Sequence, residues 1–419
     1  MKYKAETDGL IRSAFCTLHF SGSKTMSLNN IPSSERVHIG FFGMRNAGKS
    51  SLVNAVTGQS LSLVSDVKGT TTDPVKKAME LLPLGPVVII DTPGLDDEGV
   101  LGEMRVKRAK DMLSSVHVAV LVVDALRGMS EEDRTLAAEI ESRKLPLIIA
   151  MNKADLLGSV PESEGNTIYV SAQSGLGVNE LKEKIAALSK TAKSDKRILA
   201  DIVKKDDVVI LVTPIDESAP KGRLILPQQQ TIRELLDIGA VTMVVQVEEI
   251  ASALSNLKNK PRLVITDSQA FSQVSELLSE DIMLTSFSIL FARYKGDLDT
   301  VVRGADKLSD LKDGDKILIS EGCTHHRQCK DIGTVKLPGW LRKFSGRELS
   351  FTFTSGGEFP EDLSEFALVV HCGGCTLNEN EMKSRLERCR LQGVPVTNYG
   401  TAIAEMNGIL RRSLEVFGK

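Results

Sequence analysis

Gly43-Met44-Arg45-Asn46-Ala47-Gly48-Lys49-Ser50 constrains this chain more than any other stretch. An apolar run, Val37-His38-Ile39-Gly40-Phe41-Phe42, precedes it, and a helical segment, Ser51-Leu52-Val53-Asn54-Ala55-Val56, follows. A glycine-rich turn between a buried strand and a helix N-terminus aims backbone N–H groups and the positive end of the helix dipole at one point, which suits a polyphosphate. Lys49 is placed to reach the β- and γ-phosphates and the Ser50 hydroxyl to bind magnesium. Such a loop needs a parallel sheet behind it, so the chain is expected to be α/β.

Three further motifs stand at strand ends. Val87-Val88-Ile89-Ile90 runs into Asp91-Thr92-Pro93-Gly94, where Asp91 would hold magnesium through water and the Gly94 N–H would meet the γ-phosphate. Leu147-Ile148-Ile149-Ala150-Met151 runs into Asn152-Lys153-Ala154-Asp155. The Asp155 carboxylate can accept two hydrogen bonds from the N1 and N2 edge of guanine, a pair that adenine cannot supply. Thr167-Ile168-Tyr169-Val170 ends in Ser171-Ala172-Gln173, which fits a backbone contact to guanine O6. The expected nucleotide residues are therefore Asn46, Ala47, Gly48, Lys49, Ser50, Ser51, Asp91, Gly94, Asn152, Lys153, Asp155, Ser171 and Ala172.

Four strand-end motifs in this order resemble a translation-factor-type GTPase domain. Gly69-Thr70-Thr71-Thr72-Asp73 resembles the first switch segment of the tRNA-modification and ribosome-assembly GTPases, which implies that Thr71 joins Ser50 on magnesium when GTP is bound. Asn46 stands where potassium-activated members of that group carry an asparagine on the monovalent ion; a plain loop asparagine is the alternative. Leu95 follows Gly94 where Ras-like proteins have a water-orienting glutamine, and Glu103 reads as a solvated helix position. No side chain is assigned as catalytic. Slow turnover, faster in potassium than in sodium, is expected.

At 419 residues the chain exceeds one core, and several domains are expected. Its net charge of −3 gives no general pull towards nucleic acid or membrane, and aromatics at 4% argue against a base-stacking surface. No apolar run approaches bilayer length, and the first 25 residues lack the apolar core and cleavage site of a signal peptide, so a cytoplasmic protein is expected. Met26 reads as a natural beginning, which makes the residues before it a frayed tail or a misassigned start. The charged stretch Lys190–Lys196 marks the first domain boundary. Beyond it, Asp207–Val212, Val241–Val247 and Arg262–Thr266 read as strands separated by helical segments, a small α/β layer without catalytic motifs. A sheet so short has exposed edges, and homodimerisation by sheet extension would cover one. Leu284–Leu290 reads as an alternating strand and Thr401–Val416 as one amphipathic helix.

The six cysteines add a second chemistry. His371-Cys372-Gly373-Gly374-Cys375 follows the apolar strand Phe366–Val370, and Cys323-Thr324-His325 follows another, Lys316–Ile319. Glycine permits the tight turn that lets two thiols face one point. Clustered cysteines in a chain of this length, with no signal peptide, argue for metal over disulfides. The donor set alone fits either a structural zinc ion on Cys323, Cys372, Cys375 and one histidine, or an iron–sulfur cluster on three thiolates. Cys329, six residues after Cys323, is either a further ligand or a reduced bystander; His326 reads as a surface residue or a neighbour of the ligands, and Cys16 and Cys389 stand outside the cluster. A structural zinc site gives no reason for a GTPase and a dimer module on the same chain.

The C-x-H and H-C-x-x-C segments, placed behind a GTPase domain, resemble the FeFe-hydrogenase maturation GTPase family, HydF, over nearly the whole chain from Ser34 onward. The resemblance implies a homodimeric GTPase scaffold with GTP or GDP, magnesium and potassium in one domain and a 4Fe–4S cluster on Cys323, Cys372 and Cys375 in another. His325 and His371 are the candidates for the labile fourth position or for its surroundings. The implied cargo is a di-iron precursor made with two radical-SAM maturases and delivered to the apo FeFe-hydrogenase. The expected domains are an N-terminal extension (1–34), a P-loop GTPase domain (35–192), a dimerisation domain (193–270) and an α/β iron–sulfur cluster-binding domain (271–419). A regulatory or RNA-assembly GTPase with a structural zinc site is the alternative.

Overall fold

Each apolar run ahead of a motif becomes a strand of a parallel sheet, because a strand covered by helices on both faces must be apolar throughout. The computed structural model describes residues 31–58, 75–92, 111–192, 196–215, 224–322 and 332–418. Thr71, Gly94, Leu95, Glu103, Cys16, Cys323, His325, His326 and Cys329 lie outside the described residues. Pro32–Lys419 form one compact unit built on three sheets.

The first sheet comprises β1 (Val37–Phe42), β2 (Val75–Leu81), β3 (Gly85–Asp91), β4 (Val118–Asp124), β5 (Leu147–Asn152) and β6 (Thr167–Tyr169), in the order β2-β3-β1-β4-β5-β6. Only β2 is antiparallel to its neighbour. All six residues of β1 are buried, as are the first six of β4.

The second sheet comprises β7 (Val208–Val212), β8 (Val241–Val245), β9 (Leu263–Thr266) and β10 (Leu284–Ser286), in the order β10-β9-β7-β8. It runs past residue 270, the boundary expected for this domain. The expected strand Leu284–Leu290 ends at Ser286, and Phe287–Lys295 is a helix. Ser286 causes the switch: its hydroxyl accepts the Ile289 N–H at 3.3 Å and caps the helix.

The third sheet comprises β11 (Lys316–Glu321), β12 (Ser350–Ser355), β13 (Leu368–His371) and β14 (Val396–Asn398), all parallel, in the order β12-β11-β13-β14. After β11 the chain adds β12 on one side and then β13 on the other. The crevice between the carboxyl ends of β11 and β13 is therefore a topological switch point, the usual ligand position in an open parallel sheet. The expected single helix over Thr401–Val416 is broken: Tyr399–Met406 and Leu410–Leu414 are separate helices, with Gly408 at φ +70° between them.

Candidate nucleotide and cysteine sites

The nucleotide site lies at the carboxyl ends of the first sheet. Gly48 precedes the helix Lys49–Thr57 with φ +86°, and a Cβ there would stand 2.3 Å from Asn152 Nδ2. Glycine is required both by the angle and by that approach. Asn152 does more than its motif suggests. Its Nδ2 donates to the Ala47 carbonyl at 2.9 Å and its Oδ1 accepts the Ala172 N–H at 3.1 Å, so one buried amide joins the phosphate loop to the Ser171-Ala172 loop. Lys49 is buried and donates to the carbonyls of Gly43 and Met44 at 2.9 and 2.7 Å. Lys153 pairs with Asp124 at the end of β4, at 2.6 Å. The sequence reading missed Asp124, although its position at the end of an apolar strand was a usable signal. Asp155, two residues after Lys153 in the chain, is exposed, and Ser171 is buried. Asn46 and Ser51 are exposed; Asn46 has φ +62°, the unusual angle that a plain loop asparagine tolerates.

Ser50 Oγ donates to Asp91 Oδ2 at 2.8 Å, while Asp91 Oδ1 is buried with no hydrogen-bond partner. Burial raises the Asp91 pKa, against the pull of Ser50 and Lys49. A desolvated, half-satisfied carboxylate beside a serine hydroxyl fits a divalent cation, which would supply the missing partner.

The cysteine site grows from the strand register of the third sheet. Ser320 pairs with His371, so the chain leaves β11 and β13 side by side. The Cys372 N–H donates to the Ser320 carbonyl at 2.9 Å. Cys372 Sγ accepts the N–H of Gly322 at 3.0 Å and of Gly374 at 3.4 Å, and Thr376 Oγ1 donates to the Gly322 carbonyl at 2.7 Å. Gly322 is the residue immediately before Cys323. Gly374 takes φ +62°, and a Cβ there would stand 2.7 Å from Met382 Sδ. Burial pushes the Cys372 thiol up to about 11 and raises Cys375 as well. Two desolvated sulfurs with amide donors aimed at one of them fit a thiophilic metal, whose charge would favour the thiolates. Among the described residues no three His, Cys, Asp or Glu side chains form a metal group. Cys389 is buried elsewhere, in the helix Glu379–Leu391.

His371 is enclosed. Arg385 donates to its Nε2 at 3.0 Å, which leaves the proton on Nδ1, and Nδ1 donates to the Cys372 carbonyl at 2.8 Å. Burial, helped by the Arg385 charge, pushes the imidazole down to about 3, so it is neutral. As folded, it offers no free ring nitrogen to a metal. The buried Arg385 is further held by the Gly356 carbonyl at 2.7 Å and Glu381 at 2.9 Å. In the sequence it is one cation on a charged helix, and nothing distinguishes it there.

Three protein families match the chain. The 50S ribosome-binding GTPase family covers residues 38–153. The hydrogen maturase F dimerization domain covers 198–296, and the hydrogen maturase F tetramerization domain covers 299–416. The chain belongs to the hydrogen maturase F family. The hydrogen maturase F dimerization domain holds the whole second sheet, and the tetramerization domain holds the third sheet with its cysteines. The sequence reading expected a dimer and carried no signal for tetramerization.

The GTPase domain has relatives outside hydrogen maturase F. It is similar to the tRNA modification GTPase MnmE of Nitrosomonas europaea, 36% identical over 163 residues, covering 38% of this chain and 35% of that protein. It is also similar to the GTPase Der of Kosmotoga olearia, 31% identical over 183 residues, covering 39% and 41% of the two chains. The chain thus spans well under half the length of these curated relatives. A crystal structure of a probable GTP-binding protein engB matches at 25% identity and TM-score 0.31, covering 37% of this chain and 100% of that one.

Proposed function

We propose that this chain is a GTP-hydrolysing scaffold that binds a 4Fe–4S cluster on Cys323, Cys372 and Cys375, and that assembles and delivers a di-iron precursor to apo FeFe-hydrogenase. The observation that carries this reading is the hydrogen bond from the Gly322 N–H to Cys372 Sγ at the switch point of the third sheet. It brings the residue before Cys323 to the sulfur of Cys372. Both hydrogen maturase F domains support it. Among the described residues no helix is long and apolar enough to cross a membrane. A cluster bound here supplies an iron with an exchangeable ligand, at which a di-iron cargo can dock. The chain's own part is to desolvate the thiolates and to aim amide N–H groups at sulfur. Because both nitrogens of His371 are engaged, His325 is favoured over His371 of the two candidates for the fourth position. Radical-SAM maturases and the apo-hydrogenase are the partners this reading requires. The test is anaerobic purification: a brown protein with iron and sulfide is expected, and a colourless one carrying a single zinc overturns the reading in favour of a structural site.

In the same reading GTP binds with magnesium on Ser50 and Thr71, and turnover times the exchange of partners. Asn46 holds potassium. GTP hydrolysis is expected to run about tenfold faster in potassium than in sodium, with Asn46→Ala abolishing the difference. Equal rates in the two salts for the unaltered protein remove this role.

Dimerisation occurs by sheet extension along β8. This strand is at the sheet edge, with Val241 52% and Val244 44% exposed. At a two-fold edge residue i faces residue j and j faces i, so Val244→Lys puts two buried charges of one sign into the same seam. Light scattering should show the particle mass of Val244→Lys halved. A mass equal to that of the unaltered protein places the interface elsewhere.

A further inference from the structure

The loop that carries Cys375 is held by the other two domains. Lys295, the last residue of the helix Phe287–Lys295, is 3% exposed. Its Nζ donates to the carbonyls of Cys375 at 3.1 Å and Leu377 at 3.0 Å, and pairs with the Glu35 carboxylate at 3.1 Å. Tyr294, beside it, donates to the other Glu35 oxygen at 3.0 Å. Ser34 Oγ donates to the Cys375 carbonyl at 3.0 Å. Next along the loop, Asn378 Nδ2 donates to His38 Nδ1 at 3.0 Å and to the Ser115 carbonyl at 2.6 Å.

These contacts converge from three domains. Lys295 belongs to the dimerization domain and Cys375 to the tetramerization domain. Ser34 and Glu35 lie just ahead of β1, and Ser115 just ahead of β4. The same two strands end at the nucleotide site, β1 in the phosphate loop and β4 in Asp124. Each is a buried strand about 20 Å long. A buried ammonium holds its place only while its acceptors stay close, since leaving it unpaired in a dry site is costly. Lys295 therefore ties the backbone on either side of Thr376 to Glu35 at the base of the GTPase domain.

We propose that Lys295 is a positioning residue for Cys375, and that its ion pair with Glu35 makes the seating of the GTPase domain set the geometry of the cysteine loop. Under the scaffold reading above, on which this clause rests, loosening that seat exposes the cluster. Neither Lys295 nor Glu35 belongs to the nucleotide machinery.

The test uses the full-length, anaerobically reconstituted protein and Glu35→Gln. Amide exchange at residues 373–379 and the rate of iron loss to EDTA are each expected to rise about tenfold, with GTP hydrolysis within about twofold of the unaltered protein. Exchange in β7 and β9 should stay unchanged, which separates the clamp from general loosening. Exchange and iron loss equal to those of the unaltered protein, or a rise shared equally by β7 and β9, overturn the proposal. Should Glu35→Gln not fold, Ser34→Ala removes only the hydroxyl bond to the Cys375 carbonyl; about a threefold rise at the same amides is expected, and no rise overturns the clamp. Protein without iron refutes the cluster reading, while the exchange measurement still decides the clamp.

Discussion

Replacing Cys372 with serine is expected to strip the protein of its iron–sulfur absorption and of maturation activity while GTP hydrolysis stays within about twofold. Cys372 Sγ is the sulfur that both Gly322 and Gly374 address through their N–H groups. A serine oxygen is smaller and is a poor ligand for iron beside soft sulfide. The phosphate loop follows the carboxyl end of β1, whereas His38, near the strand's start, meets Asn378 of the segment that follows the cysteine loop. Iron analysis, the visible spectrum and phosphate release on the same preparation check the result. Loss of hydrolysis together with the cluster shows that the two sites are one cooperative unit and removes the modular picture.

Asp155→Asn is the second large effect. In the proposed nucleotide site the carboxylate would accept from N1 and N2 of guanine. An asparagine amide would set an N–H donor against one of those donors. A site built for a hydrogen-bonded pair discriminates by about 10⁴-fold or more when the pair is broken, and a loss of about 10³-fold in GTP affinity is expected here, or about 4 kcal/mol. Xanthosine triphosphate, which presents a carbonyl in place of the N2 amine, should recover much of that loss. Calorimetric titration with both nucleotides decides it; unchanged GTP affinity shows that Asp155 does not read the base.

The two sites differ in how far they could be read from the chain. The nucleotide loop was legible because its requirements are local. Glycine must stand where φ is +86°, and lysine and serine must follow it on the first turn of a helix. The cysteines suggested a metal group because two clusters of soft donors each follow an apolar strand, and the register of β11 with β13 sets the ends of those two strands side by side. Asp124 was missed because its use depends on Lys153 reaching across from the next strand. The stretch after Leu284 was misread because a short apolar run suits a strand and a buried helix equally, and a single serine cap decides between them. Tetramerization left no mark that pattern or composition could reveal.

Local chemistry alone therefore located the strands that run into the motifs and the nucleotide motifs themselves, since each rests on neighbouring residues and on the periodicity of the elements that carry them. The fold alone decided what His371 can do, because the Arg385 that occupies its Nε2 stands on another element, a full helix turn and more beyond the loop. It also decided what holds Cys375, since Ser34 reaches that loop across 341 positions of the chain. Contacts between residues so far apart leave no periodic trace in the sequence, and only the packing of the three sheets brings them together.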